Sequence, residues 1–255
     1  MSLPRFLARE CGSLPDDAEL ALDPEESRHL RDVLRGRIGD LVELFDGQGR
    51  SRTAELVGVT KRVVRLRLRG PVDLEPPFVP EIWMAVAAPK SDRLRWLVEK
   101  MTELGANRLI PLVTARAVVK PGTSKLERLE EASLQACKQC GRSRAVEIHP
   151  LMEWTRFWAL AESELAIEET QILLADRDGL PLAAPTMRDR LSSARRIVVV
   201  VGPEGGLTDS EHQEAIVRGA TAVTLGRSLL RIETAAIAAT AILRSLTQGA
   251  TPEHS

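Results

Sequence analysis

Apolar and polar positions change their rhythm near residue 80. Before it, short runs alternate: Leu41–Phe45 ends at the turn signal Asp46-Gly47, Thr53–Val57 follows, and Val63–Arg69 switches between apolar and basic residues. Alternation with period two predicts half-buried strands, preceded by a short helix from Pro24 to about Arg35. Beyond residue 80 the apolar runs are continuous: Ile82–Ala88, Leu109–Val113, Gln171–Ala175, Ile197–Val201 and Ala222–Leu225. Such runs suit strands buried on both faces. Between the first two, Leu94, Leu97, Val98, Met101 and Leu104 recur at helical spacing, with Ser91 or Asp92 as cap and Gly105 as stop. Further helices are predicted over about Lys125–Gly141, from the capping box Thr208-Asp209-Ser210-Glu211, and over Glu233–Leu246. Strands alternating with helices imply a mainly parallel α/β sheet.

Four prolines, at 71, 76, 77 and 80, mark an extended linker. The division expected is residues 1–72 as a small β domain, 73–80 as linker, 81–248 as an α/β domain, and 249–255 as a polar tail. No apolar run approaches the ~20 residues that cross a bilayer, and the N-terminus lacks a signal-like stretch, so a cytoplasmic address without a membrane partner is expected.

Charge alters this picture only locally. The net charge is −1. Residues 108–144 nevertheless carry eight Lys or Arg against three acids, a local excess of +5, whereas residues 151–255 carry ten against fourteen. One face able to meet phosphates would produce this asymmetry, and so would a helix with scattered surface charge. Cys137 and Cys140 form a C-x-x-C pair, but a zinc site needs two more ligands and only His149 is near in sequence. No metal is expected; two small side chains on a helix suffice.

Two loops carry candidate chemistry. Val201-Gly202-Pro203-Glu204-Gly205-Gly206 follows a β-branched run and precedes the capped helix. Ligands in open α/β sheets sit beyond the carboxyl ends of strands. The loop has neither G-x-G-x-x-G nor a P-loop lysine, and Glu204 would repel phosphate, so a neutral or cationic ligand is favoured over a nucleoside triphosphate. The second loop, Leu225-Gly226-Arg227-Ser228-Leu229-Leu230-Arg231-Ile232-Glu233-Thr234-Ala235, leads into the last helix. Its plainest reading is a first-turn acid, Glu233, paired with Arg231.

Together, G-P-E-G-G and the later L-G-x-x-L-L-R-x-E-T-A resemble the SPOUT methyltransferases, most closely the ribosomal RNA small subunit methyltransferase E family. Pro4-Arg5-Phe6, His29-Leu30-x-x-Val33-Leu34-Arg35, Gly39–Gly47, Lys100–Ala106, Ile110–Leu112 and Ala136–Arg142 agree in the same order. The resemblance implies an N-terminal PUA-like β-barrel domain, a C-terminal SPOUT α/β domain with a trefoil knot, and a homodimer. It implies S-adenosylmethionine as cofactor and methylation of N3 of a uridine in 16S ribosomal RNA or the small subunit. Cofactor binding is expected at Gly202, Glu204, Gly205, Gly206, Leu225, Gly226, Leu229, Leu230 and Thr234, with Gly205→Val abolishing it. Catalysis is expected from Arg231, Glu233 and Arg142, and RNA contact from Arg5, His29, Arg35, Arg116, Lys120 and Gln139. His212 is expected on the surface. Ile232 departs from the family, which often has Thr there. The alternatives are another SPOUT enzyme, acting on transfer RNA or a ribose 2′-hydroxyl, and a non-catalytic RNA-binding assembly factor.

Overall fold

The computed structural model describes residues 3–89, 91–117, 122–164 and 169–247. These form two compact units, Met1–Pro77 with Leu134–Ala145, and Phe78–Ser133 with Val146–Ser255.

The first unit is built on a five-stranded sheet in the order β1-β3-β4-β5-β2, from β1 (Arg5–Leu7), β2 (Glu19–Ala21), β3 (Leu41–Phe45), β4 (Arg50–Val59) and β5 (Val64–Leu74). Only β1–β3 is parallel among these pairs. In β5, Val64, Leu66 and Leu68 point into the core while Arg65, Arg67 and Arg69 stay nearer solvent, as period-two alternation requires. Helix α1 (Pro24–Arg28) is capped by Asp23, which accepts from Glu26 N, and continues as a π-type turn over His29–Val33. The strand passes through Gly70 and Pro71 to Leu74, so the extended segment begins later than the proline count suggested. Pro71 is tolerated there because it falls at the irregularity in the pairing with β4, between Arg69 and Asp73, where its missing N–H breaks no ladder bond. The expected boundary at residue 72 also omits Leu134–Ala145, which packs here: Leu134 and Cys137 bury against Phe45.

The second unit contains β6 (Glu81–Ala87), α2 (Ser91–Glu103), β7 (Arg108–Val113), the start of α3 (Thr123–Cys140), β8 (Glu147–Ile148), β9 (Met152–Glu153), α4 (Trp154–Glu164), β10 (Thr170–Pro181), α5 (Pro185–Leu191), β11 (Arg196–Val201), α6 (Asp209–Val217), β12 (Thr221–Thr224) and α7 (Ile232–Thr247). The sheet runs β12-β10-β11-β6-β7-β8, with β9 also on β7, and its pairs are parallel. Both faces are covered, which explains the unbroken apolar runs. In β11, Ile197, Val199 and Val201 join α2, α5 and α7 on one face, while Val198 and Val200 join α4 and α6 on the other. Helix α4 was not foreseen. Buried Arg244 fastens the end of α7, donating to Pro80 O at 2.7 Å and to Asn107 Oδ1 at 2.7 Å.

Candidate active site

Strands β10, β11 and β12 are neighbours and parallel, so their carboxyl ends deliver three loops to one place. After β11, Gly206 N donates to Pro203 O at 2.8 Å and closes a tight turn. Thr208 then caps α6: Glu211 N donates to Thr208 Oγ1 at 3.2 Å, and Thr208 N donates to Glu211 Oε2 at 2.8 Å. Glu211 Oε1 also accepts from Ala115 N at 2.8 Å. Burial pushes the Glu211 carboxyl up, but the donors on Thr208 and Ala115 and the nearby Arg116 outweigh it and hold the group below the usual range.

After β12, Gly226 adopts φ +136°, which L side chains rarely reach, and its N–H donates to Thr224 Oγ1 at 3.3 Å. The third loop lies inside β10, where the register with β12 shifts between Ala175 and Leu180 and residues 176–178 leave the pairing to line the cavity. There Asp178 N donates to Asp176 Oδ1 at 2.9 Å.

These loops surround a cavity of about 490 Å³, a size suited to a small-molecule ligand. Its apolar wall includes Leu174, Val201, Val223 and Ile232, and its polar wall carries Asp176, Asp178, Glu204 and Asp209 beside Arg177 and Arg231. Carboxylates outnumber guanidinium groups, so the field favours a cationic ligand. Arg231 is exposed and has no carboxylate partner among the described residues.

Gly202, Glu204, Gly206, Leu225, Gly226, Leu229, Leu230 and Arg231 all line the cavity. Gly205 and Thr234 do not; a Cβ on Gly205 would lie 3.7 Å from Arg116 Cδ, an ordinary contact. Glu233 is also turned away. Its buried carboxylate lies 3.6 Å from Arg93 on α2 rather than on Arg231, and its Oε2 has no hydrogen-bond partner. Helix packing, not the cavity, orients it. His212, expected on the surface, lines the cavity and places Nε2 2.7 Å from Asp176 Oδ2. Nothing in either local sequence signals that pairing; the Asp178-Gly179 turn signal after the expected end of β10 was the available clue to the third loop.

The expected RNA residues divide similarly. Arg116 Nη1 donates to Gly205 O at 2.9 Å and to Leu207 O at 3.2 Å, bracing the glycine loop. Arg116→Ala is therefore expected to weaken cofactor binding about 5- to 10-fold with RNA affinity unchanged; calorimetry with each ligand checks both. Within the first unit, Arg5 is consumed by Glu43 Oε1 at 3.0 Å and Gly141 O at 2.7 Å, so its expected RNA contact gives way to a structural tie. Arg142, expected to be catalytic, pairs with Glu75 at 3.1 Å within the same unit. His29 is half-buried, with Nδ1 3.3 Å from Lys138 Nζ. Arg35 and Gln139 are exposed. Lys120 lies outside the described residues. Cys137 and Cys140 share α3, and burial pushes the Cys137 thiol up to about 12.

Residues 75–244 match the RNA methyltransferase domain family, and residues 22–68 match the RNA methyltransferase PUA domain. Ribosomal RNA small subunit methyltransferase E of Synechocystis is 30% identical over 90% of this chain and 74% of its own length. The enzyme of that name from Neisseria gonorrhoeae, solved bound to S-adenosylmethionine, superposes with a TM-score of 0.82 at 31% identity, covering 96% of this chain and 98% of that one.

The chain belongs to the ribosomal RNA small subunit methyltransferase E family. A Legionella pneumophila protein, solved with S-adenosylmethionine as its bound cofactor, agrees with a TM-score of 0.79 at 27% identity over 97% of this chain and 99% of that one. Against the methyltransferase E family, the mixed α/β architecture and the PUA-like N-terminal region agree with expectation.

Proposed function

We propose that this chain methylates N3 of a uridine in 16S ribosomal RNA, using S-adenosylmethionine held in the cavity at the ends of β10, β11 and β12. The observation that carries the reading is the convergence of both glycine loops on one acid-rimmed cavity that also receives Arg231.

The residues present suit such a cofactor. Apolar Leu174, Val201 and Val223 offer a dry surface to a nucleoside, the backbone of Leu225–Leu230 offers polar groups to its edges, and the surrounding carboxylates favour a sulfonium. When bound, S-adenosylmethionine supplies an electrophilic methyl group on a positively charged sulfur. The chain's own part is to orient the uracil in line with that methyl, which supplies much of the acceleration. Loss of the N3 proton leaves negative charge over N3 and the two flanking carbonyl oxygens. Arg231, without a competing carboxylate, stabilises that charge as an oxyanion hole does. Because Glu233 faces Arg93, the proton passes to water or to one of the carboxylates that face the cavity.

The reading includes a trefoil knot in the C-terminal unit and a homodimer. The first rests on the family resemblance of the two glycine loops; beside them, a Cβ on Gly179 would lie 2.4 Å from Val223 N, so only glycine fits where β10 meets β12. Exposed Leu229 and Leu180 beside the cavity support the second, because a partner subunit would cover them. Among the described residues no helix is long and apolar enough to cross a membrane, and the reading includes a cytoplasmic address, which a ribosomal RNA substrate supports.

Mass spectrometry of small-subunit ribosomal RNA from a strain lacking the gene tests the reading. One uridine should lose an N3 methyl group and regain it when purified enzyme and S-adenosylmethionine are added. Loss of a transfer RNA or ribose 2′-O methyl group instead, or no change, contradicts it.

A further inference from the structure

The turn after β3 and the end of α3, both in the first unit, hold a cation that the fold leaves unbalanced. Segment 141–145 runs beside Gly47–Gly49: Gly49 N donates to Ser143 O at 2.8 Å and Ala145 N donates to Gly47 O at 2.9 Å. Glu75, which fastens both, is already used. Its Oε1 accepts from Arg142 Nε at 3.1 Å, and its Oε2 accepts from Ser143 N at 2.5 Å and from Arg144 N at 2.9 Å.

The Arg144 side chain takes no part in this arrangement. Its guanidinium covers Gly49: a Cβ there would stand 2.4 Å from Nη2, 2.8 Å from Cζ and 3.1 Å from Nε. Gly49 is buried and sits at φ +100°, so its backbone favours glycine, and the absence of a Cβ leaves the space that the guanidinium fills. Arg144 Nε is buried with no hydrogen-bond partner, and among the described residues no carboxylate pairs with the guanidinium. Its neighbours differ: Arg5 is paired with Glu43, and Arg142 with Glu75. A half-buried and uncompensated guanidinium is costly unless a ligand anion completes it. Its planar fork matches the two free oxygens of a phosphodiester.

We propose that Arg144, seated on Gly49, grips one backbone phosphate of the RNA substrate. The inference rests on the ribosomal RNA reading above. Such a contact fixes the register of the first unit on the RNA without reading its sequence.

The test is binding of the full chain to small ribosomal subunits from a strain lacking the gene, measured across a salt series at constant magnesium. Arg144→Gln should weaken binding about tenfold and reduce the slope of log affinity against log salt by roughly 0.7–0.9, the signature of one lost phosphate contact. Affinity for S-adenosylmethionine and Tm should not change. Arg144→Lys should keep the slope while losing part of the affinity. A wild-type slope and affinity in Arg144→Gln overturns the proposal, as does weakened binding with an unchanged slope and a lowered Tm, which marks a structural role. Failure of the wild-type chain to bind the subunits, with S-adenosylmethionine binding intact, overturns the RNA reading and the phosphate clamp with it.

Discussion

Replacing Arg231 with Gln is expected to lower kcat for methyl transfer by about 100- to 1,000-fold, the cost of removing one donor from a developing oxyanion. Arg231 lines the cavity without a carboxylate partner among the described residues, so its charge is available to the reacting base. On the proposed reaction at N3, its contribution arises mainly after the proton has left. A group that acts chiefly in the transition state changes kcat with little change in KM. Steady-state kinetics on small subunits lacking the methyl group check this, with the affinity for S-adenosylmethionine expected to stay within about threefold. Glu233→Gln supplies the contrast. Its carboxylate is buried against Arg93, so the variant should lower Tm more than it lowers kcat.

The second large effect is expected at Gly226. At φ +136° any residue with a Cβ is strained by about 1–3 kcal/mol, and relief of that strain moves the loop backbone offered to the nucleoside. Gly226→Val should weaken S-adenosylmethionine binding on the order of 100-fold, with far-UV circular dichroism unchanged. Gly226→Ala should show an intermediate loss. Gly205→Ala, whose Cβ meets Arg116 at an ordinary distance, should leave binding within about threefold. Equal losses at 205 and 226 would contradict the placement of the loops.

The contrast between these two glycines shows how far the sequence could be read. Glycine clusters after Val201 and Leu225, together with the Thr208 capping box, mark loops that the parallel sheet brings together. Continuous apolar runs located β6, β7, β11 and β12 because both faces of the sheet are buried. Side-chain direction within the loops depends on partners far along the chain. Glu233 is claimed by Arg93, Arg142 by Glu75, Arg5 by Glu43, and Arg116 by the carbonyls of Gly205 and Leu207. A cation free to meet RNA and a cation spent on the fold look alike in sequence. The Asp176–His212 pair depends on a register shift between β10 and β12, which no local pattern specifies. Helix α4 is different: Trp154, Phe157, Trp158 and Ala161 carry the helical spacing openly and bury together, so that element is legible in the sequence.

A crystal structure with S-adenosylmethionine tests the central claim most directly. The cofactor should lie between Gly202–Leu207, Leu225–Arg231 and the Asp176–Asp178 bulge, with its methyl group toward Arg231. A cavity still empty at saturating cofactor, or a cofactor seated elsewhere on the chain, would contradict it.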